Sequence, residues 1–142
     1  MTIARLIEGR EGPVISIDAA ASVGEAVALL AEKRIGALPV MQNGEVVGIF
    51  SERDVVYQLR NFGPAMLDKK VAEVMTAPAV TVVKGTDALA ALGLMTRRRI
   101  RHLPVIEGNA MVGFISIGDL VKYRIDHIES EAEAMRSYIQ MA

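Results

Sequence analysis

Short β-branched runs and longer stretches with helical periodicity alternate along the chain, and the order in which they alternate occurs twice. Residues 14–17 form a first strand-like run. Ser22 then precedes an apolar-periodic stretch and is followed three residues later by Glu25, the spacing of a capping box. Val23, Ala26, Val27 and Leu30 fall on one face of that helix, which the pattern ends near Gly36. Residues 37–41 and 46–50 are two apolar runs separated by Gln42-Asn43-Gly44-Glu45, and Asn-Gly between strand-like segments predicts a hairpin. A second helix begins after Ser51 and fades at Gly63-Pro64. The plan then returns: a strand at 80–83, a helix at 87–99, strands at 103–106 and 111–115 around a turn at 107–110, and a last helix after Ser116. Residues 62–78 connect the halves, with a short helix predicted at 67–75.

The second half matches the first at a fixed offset of 65 residues, so that Leu38-Pro39-Val40 returns as Leu103-Pro104-Val105. Arg34-Ile35 and Arg99-Ile100 hold the same register, as do Ala26 and Ala91, Val47 and Val112, and Val56 and Val121. A repeat of this length is one supersecondary unit used twice, and two related units packed together leave two related clefts. The pattern divides the chain into a first repeat at 1–65, a connector at 66–79 and a second repeat at 80–142.

The last helix is longer than the repeat requires. Val121, Ile125, Ile128, Ala132, Met135 and Ile139 follow the alternating four-and-three spacing of a coiled-coil seam, with Glu129, Glu131, Glu133 and Arg136 off the seam. Two readings fit this stripe: packing on its own domain or the N-terminal segment, and pairing with a second chain as a homodimer.

Composition narrows the chemistry. The 142 residues are 51% hydrophobic but only 4% aromatic, which requires an aliphatic core. A net charge of −1 and few aromatic residues for base stacking argue against a nucleic-acid partner, despite Arg97-Arg98-Arg99 and Arg101-His102. With no cysteine there is no disulfide, thiolate catalysis or Cys-based zinc site. No run approaches the ~18 apolar residues of a membrane span, and the charged first residues are unlike a secretory signal. These features predict a cytoplasmic protein with no membrane partner. His102, Ser116 and Asp119 have the residue types of a hydrolase triad but lack a nucleophile-elbow sequence. The two histidines, His102 and His127, have no carboxylate at ligand spacing, and no phosphate-loop or dinucleotide glycine motif is present. The sequence therefore predicts neither catalytic residues, a metal nor a catalytic cofactor.

One duplicated stretch remains. Gly48-Ile49-Phe50-Ser51-Glu52-Arg53-Asp54 corresponds to Gly113-Phe114-Ile115-Ser116-Ile117-Gly118-Asp119, each joining a strand to a helix. Ser51 with Asp54, and Ser116 with Asp119, have capping-box spacing. Capping leaves the two glycines unexplained, since glycine inside a strand weakens it and marks close approach of a ligand or another backbone. A carboxylate at a helix N-terminus also suits a ribose, with nearby N–H groups and the serine oxygen meeting anionic oxygens. A helix can be capped and still present its end to a nucleotide.

Taken together, the duplicated Leu-Pro-Val and Gly-x-x-Ser-x-x-Asp segments, with Val74-Met75-Thr76 ahead of Pro78, resemble a tandem cystathionine β-synthase (CBS) domain pair, or Bateman module. The resemblance runs from about Ile7 to Tyr123. It implies two β-α-β-β-α units related by a pseudo-two-fold axis, an α/β fold to which the long C-terminal helix is added. It also implies a regulatory module that holds an adenosine-containing ligand (AMP, ADP, ATP or NAD(H), with S-adenosylmethionine also open) between the repeats. With no effector domain in these residues, signalling would reach an unknown partner protein in trans. By the same resemblance, Asp54 and Asp119 hold the ribose, Ser51 and Ser116 lie near ribose and phosphate, and Ile49 and Phe114 line the adenine slot. Gly36 and Ala37 in one copy, and Arg101 and His102 in the other, reach the ligand, and the backbone near Ser16-Ile17 and Thr81-Val82 completes the base pocket. Arg101-His102 is basic where Gly36-Ala37 is neutral, which favours phosphates being held chiefly by the second repeat. Arg97, Arg98 and Arg99 can also be read as cations offsetting a helix C-terminal dipole. The rival function is a structural pairing domain whose clefts bind no physiological ligand.

Overall fold

The computed structural model describes residues 1–10 and 12–141. Each hairpin predicted from the turn residues forms. In the first, Asn43 (φ 53°) and Gly44 (φ 80°) take the pair of positive φ values of a type I′ turn, which matches the twist of the flanking strands. β2 (Ala37–Gln42) and β3 (Glu45–Ser51) pair antiparallel across this turn, and β1 (Ile17–Asp18) joins β2 in parallel through Ile17 and Val40. In the second half, β5 (His102–Glu107) and β6 (Ala110–Ser116) pair in the same register, with β4 (Val82–Val83) parallel to β5. Leu38 faces Phe50 as Leu103 faces Ile115, and both hairpins carry an irregularity after the central valine, Val40 or Val105.

The helices follow the same duplication. α2 (Val23–Lys33) starts on a complete Ser22–Glu25 capping box, whereas its counterpart α5 (Ala88–Arg98) is capped by Asp87. α3 (Glu52–Phe62) follows β3, and α6 (Ile117–Met141) follows β6. Each half fills its own aliphatic core. Val23, Ala26, Leu38, Val40 and Phe50 close the first, and Ala91, Met95, Leu103, Val105 and Ile115 the second. Each fully buried Val, Leu, Ile, Phe or Met side chain contributes ~1.5–3 kcal/mol relative to exposure.

Three predicted elements differ. The strand predicted at 14–17 is reduced to Ile17–Asp18, and that at 80–83 to Val82–Val83, because the residues before them leave the sheet. The helix predicted at 67–75 is divided into a 3-10 segment, Gly63–Asp68, and α4 (Val71–Val74). Lys69 and Lys70 are extended between them because the Lys69 carbonyl accepts from Val23 N–H and Lys70 bridges to Ser22.

The terminal and connecting segments exchange places. α4, from the connector, docks on the first repeat: Val71 N–H donates to the Ala21 carbonyl, and Val71 and Val74 enter the first core. α1 (Ile3–Ile7), which the sequence patterns did not predict, docks on the second repeat. Ile3 N–H donates to the Thr86 carbonyl, Thr2 bridges to Asp87, and Ile3 is fully buried in the second core. The segment ahead of each repeat thus completes the other repeat's half of the molecule.

α6 settles one of the two readings of its stripe. Leu120 is buried and Tyr123 half-buried against the second core, but every described residue from Arg124 onward is exposed. Packing of this stretch on its own domain or on the N-terminal segment is therefore not what the chain does.

Candidate functional site

The two duplicated strand-to-helix junctions are built alike. Ser51 N–H donates to Asp54 Oδ2 (2.9 Å) and Asp54 N–H to Ser51 Oγ (3.4 Å). Ser116 N–H donates to Asp119 Oδ2 (2.8 Å) and Asp119 N–H to Ser116 Oγ (3.1 Å). The capping reading of both motifs therefore holds. The next N–H along is also taken: Glu52 N–H donates to the Gly36 carbonyl and Ile117 N–H to the Arg101 carbonyl. These bonds tie each helix start to the strand end beside it, so the aspartates are held by backbone on two sides.

Both motif glycines lie against another segment of the chain. A Cβ on Gly48 would stand 2.8 Å from the Thr76 carbonyl oxygen and 2.7 Å from Met75 Sδ. One on Gly113 would stand 2.9 Å from Ile7 Cγ2. The exchanged segments are thus close neighbours of both glycines, by backbone and side chain at Gly48 and by side chain at Gly113.

Two clefts of about 480 and 500 Å³ open beside these junctions, each within the range of a small-molecule site. Each draws on both repeats. Phe114, Ser116 and Asp119 of the second repeat face Gly36 and Ala37 of the first, with Val14 and Ile15 on the wall. Ile49, Ser51 and Asp54 of the first repeat face Arg101 of the second, with Ala79 and Val80 on the wall. The arginine of the second repeat's motif, Arg101, thus opens on the cleft that carries Asp54, not on the one that carries Asp119; Arg98, Arg99 and Arg53 line it too. His102 and Gly36 border both clefts. Ser16, Ile17, Thr81 and Val82 line neither. Ile17 and Val82 are committed to their strands and pack on the two cores, and the residues two positions earlier provide the walls instead.

The aspartates differ in their second partners. Asp54 is buried, and its Oδ1 accepts from Thr76 Oγ1 (3.0 Å). Asp119 is partly exposed and forms an ion pair with Arg10 (3.0 Å), whose guanidinium also donates to the Phe114 carbonyl (2.9 Å). Burial works to raise the Asp119 pKa, but the Ser116 N–H, the Arg10 guanidinium and the Ser116 hydroxyl outweigh it and hold the carboxyl below its ordinary value. The His102 pKa is lowered, first by burial and also by Arg101, against the opposing charges of Asp119 and Glu52. Its ring stacks on Phe114 with centroids 5.4 Å apart and planes 14° apart, a flat apolar face beside the cleft.

Arg10 and Thr76 were not singled out from the sequence. Their signal was their position just ahead of Pro13 and Pro78, which occupy equivalent places at the repeat offset.

This architecture and its motifs have close relatives. The sequence model of the CBS domain matches residues 10–61 and again 71–126. The chain belongs to the CBS-domain family. It is 36% identical over 124 residues to the CBS domain-containing protein CBSX3, mitochondrial, of Arabidopsis thaliana; this covers 84% of the chain and 60% of that longer protein. The crystal structure of the CBS-domain containing protein ATU1752 from Agrobacterium tumefaciens superposes with a TM-score of 0.82 at 35% identity, covering 87% of this chain and 99% of that one. CBSX2, solved in complex with AMP, shares the fold with a TM-score of 0.74 at 24% identity, over 88% of this chain and 96% of that one. As a CBS pair, the molecule is an α/β protein of two three-stranded sheets with a C-terminal helix. No helix among its described residues is long and apolar enough to cross a membrane.

Proposed function

We propose that this CBS pair is a self-associating, non-catalytic sensor that binds an adenine nucleotide in its inter-repeat clefts and signals to a partner protein in trans. The observation that carries the reading is the pairing, in both clefts, of a helix-start aspartate from one repeat with the strand end of the other. A ribose held by Asp54 or Asp119 would touch both repeats at once. Any ligand with that reach binds one packing of the repeats better than another and so shifts their equilibrium. The AMP complex of CBSX2 supports the ligand class.

In the Asp54 cleft, Asp54 and Ser51 take the ribose, Ile49 borders the base, and Arg101 with its neighbours meets the phosphates. In the Asp119 cleft, Asp119 and Ser116 take the ribose, and the Phe114–His102 stack offers the base a flat wall. The partners already present do not bar this: they gather on Oδ2 of each carboxylate, and a ribose would be met by Oδ1, which in Asp54 accepts from Thr76 and keeps a second lone pair.

The same contacts favour a second reading. Thr76 and Arg10 satisfy the two carboxylates from within the chain, as a structural pairing domain with no ligand would require. Isothermal titration of AMP, ATP and NADH into the wild type, Asp54→Ala and Asp119→Ala separates the two. The sensor reading expects saturable binding that one substitution removes. A folded protein giving no heat with any of the three would leave the pairing reading in place.

A further inference from the structure

α6 extends for 25 residues, about 37 Å, and every described residue beyond Tyr123 is exposed. A helix of this length without tertiary contacts is marginal in water, since most helical stability in proteins comes from packing an apolar face. The face exists: Val121, Ile125, Ile128, Met135 and Ile139 are 43–64% exposed and lie on one stripe with Ala132. The charges beside the stripe say what covers it. Arg124 and Glu131 precede the seam residues Ile125 and Ala132, while Glu129 and Arg136 follow Ile128 and Met135.

We infer that this stripe pairs in parallel and in register with the same stripe of a second copy. The inference rests on the self-association in the reading above and specifies its geometry. In a parallel two-stranded coiled coil, the residue before one seam position faces the residue after the next seam position on the other helix. Arg124 then meets Glu129 of the second copy, and Glu131 meets Arg136, twice each by symmetry. An antiparallel pair overlapping all six seam layers sets Glu129 against Glu129, Glu131 against Glu131 and Lys122 against Arg136. Opposite charges meet in the first arrangement, and like charges meet at these three pairs in the second. Within one chain Arg136 reaches Glu133 and His127 reaches Glu131, both pairs exposed and readily exchanged for contacts across the seam.

The chain has no cysteine, so a single introduced one reports orientation cleanly. Full-length Ile139→Cys, oxidised with diamide, is expected to convert mostly to a disulfide-linked dimer. Glu129→Arg is expected to weaken the dimer about ten-fold by sedimentation, and adding Arg124→Glu in the same chain to restore it, with circular dichroism confirming that both variants fold. A cross-link that forms only when Ile139→Cys is mixed with Val121→Cys would mean an antiparallel pair and overturn the inference. A dimer indifferent to charge and without the Ile139→Cys link would place the interface elsewhere, leaving self-association standing. A wild type that stays monomeric at micromolar concentration would overturn both.

Discussion

The two clefts share a plan and differ in what their own chain has put into them. In the Asp119 cleft the single nearby arginine, Arg10, is already paired with the aspartate, and the remaining wall is apolar and aromatic. In the Asp54 cleft the aspartate is held by a neutral hydroxyl, and four arginines line the walls. The repeat copied the helix-start carboxylate and its cap. It did not copy the residues that would read the rest of a ligand. Duplication fixes the backbone, and the outlying positions are free to diverge.

The widest gap between the clefts should appear with phosphate number. Arg101→Ala is expected to weaken ATP binding at the Asp54 cleft by about 2 kcal/mol, the scale of a hydrogen bond to a charged group, some thirty-fold in affinity. Binding of adenosine itself should change much less. Competition titrations with adenosine, AMP and ATP against wild type and variant check this. Equal losses for all three ligands would mean that Arg101 shapes the cleft rather than meeting phosphate.

The glycines give a smaller contrast, in stability. Both approach an exchanged segment, but Gly48 faces a carbonyl oxygen and Gly113 only the side chain of Ile7. A backbone atom cannot move aside alone, because Thr76 and Ile49 also exchange two backbone hydrogen bonds, while an isoleucine can shift with its short helix. Gly48→Ala should therefore cost about 2–3 kcal/mol and Gly113→Ala about 1 kcal/mol, both within the usual range for overpacking. Urea denaturation of the two variants measures the difference. Equal costs would mean that the connector yields as readily as α1.

The repeat itself was legible in the sequence because hairpin turns, capping boxes and apolar spacing all recur in one register. Asp54, Ser51, Asp119 and Ser116 stand where the motif reading put them. The exchange of α1 and α4 was not legible. Ile3 occupies the place on the second repeat that Val71 occupies on the first, and Ile7 that of Met75, yet these pairs do not lie at the offset that aligns everything else. A longer stretch before Pro13 than before Pro78 displaces them, and a helix of five residues is too short to show periodicity. That omission carried over to the clefts. The motif named Arg101 as a ligand contact without saying which aspartate it would join, and it did not point to Arg10. Which side chains share a cleft depends on packing between the repeats, and local pattern does not encode it.

The smallest effect concerns acid. The Asp119 pKa lies below its ordinary 3.8 when folded, so this group adds stability at neutral pH that is lost as pH falls from 3.8 through the folded value. His102 contributes in a separate window: its lowered pKa makes the folded state bind a proton less readily, so stability falls as pH drops below 6.5 towards the folded value. Arg10→Ala removes one of the groups holding Asp119 down and leaves the direct surroundings of His102 in place. With the pair partly exposed, solvent screening limits its worth to about half a kcal/mol. The variant should therefore trail the wild type by about that much at pH 7, and the two should draw together as pH falls from 3.8 through the folded value, below which Asp119 is neutral in both. Urea midpoints taken from pH 7 down to pH 3 would show the convergence. A gap that stayed constant would mean that Arg10 acts through its bond to the Phe114 carbonyl, and that the Asp119 cleft is braced by backbone contact rather than closed by charge.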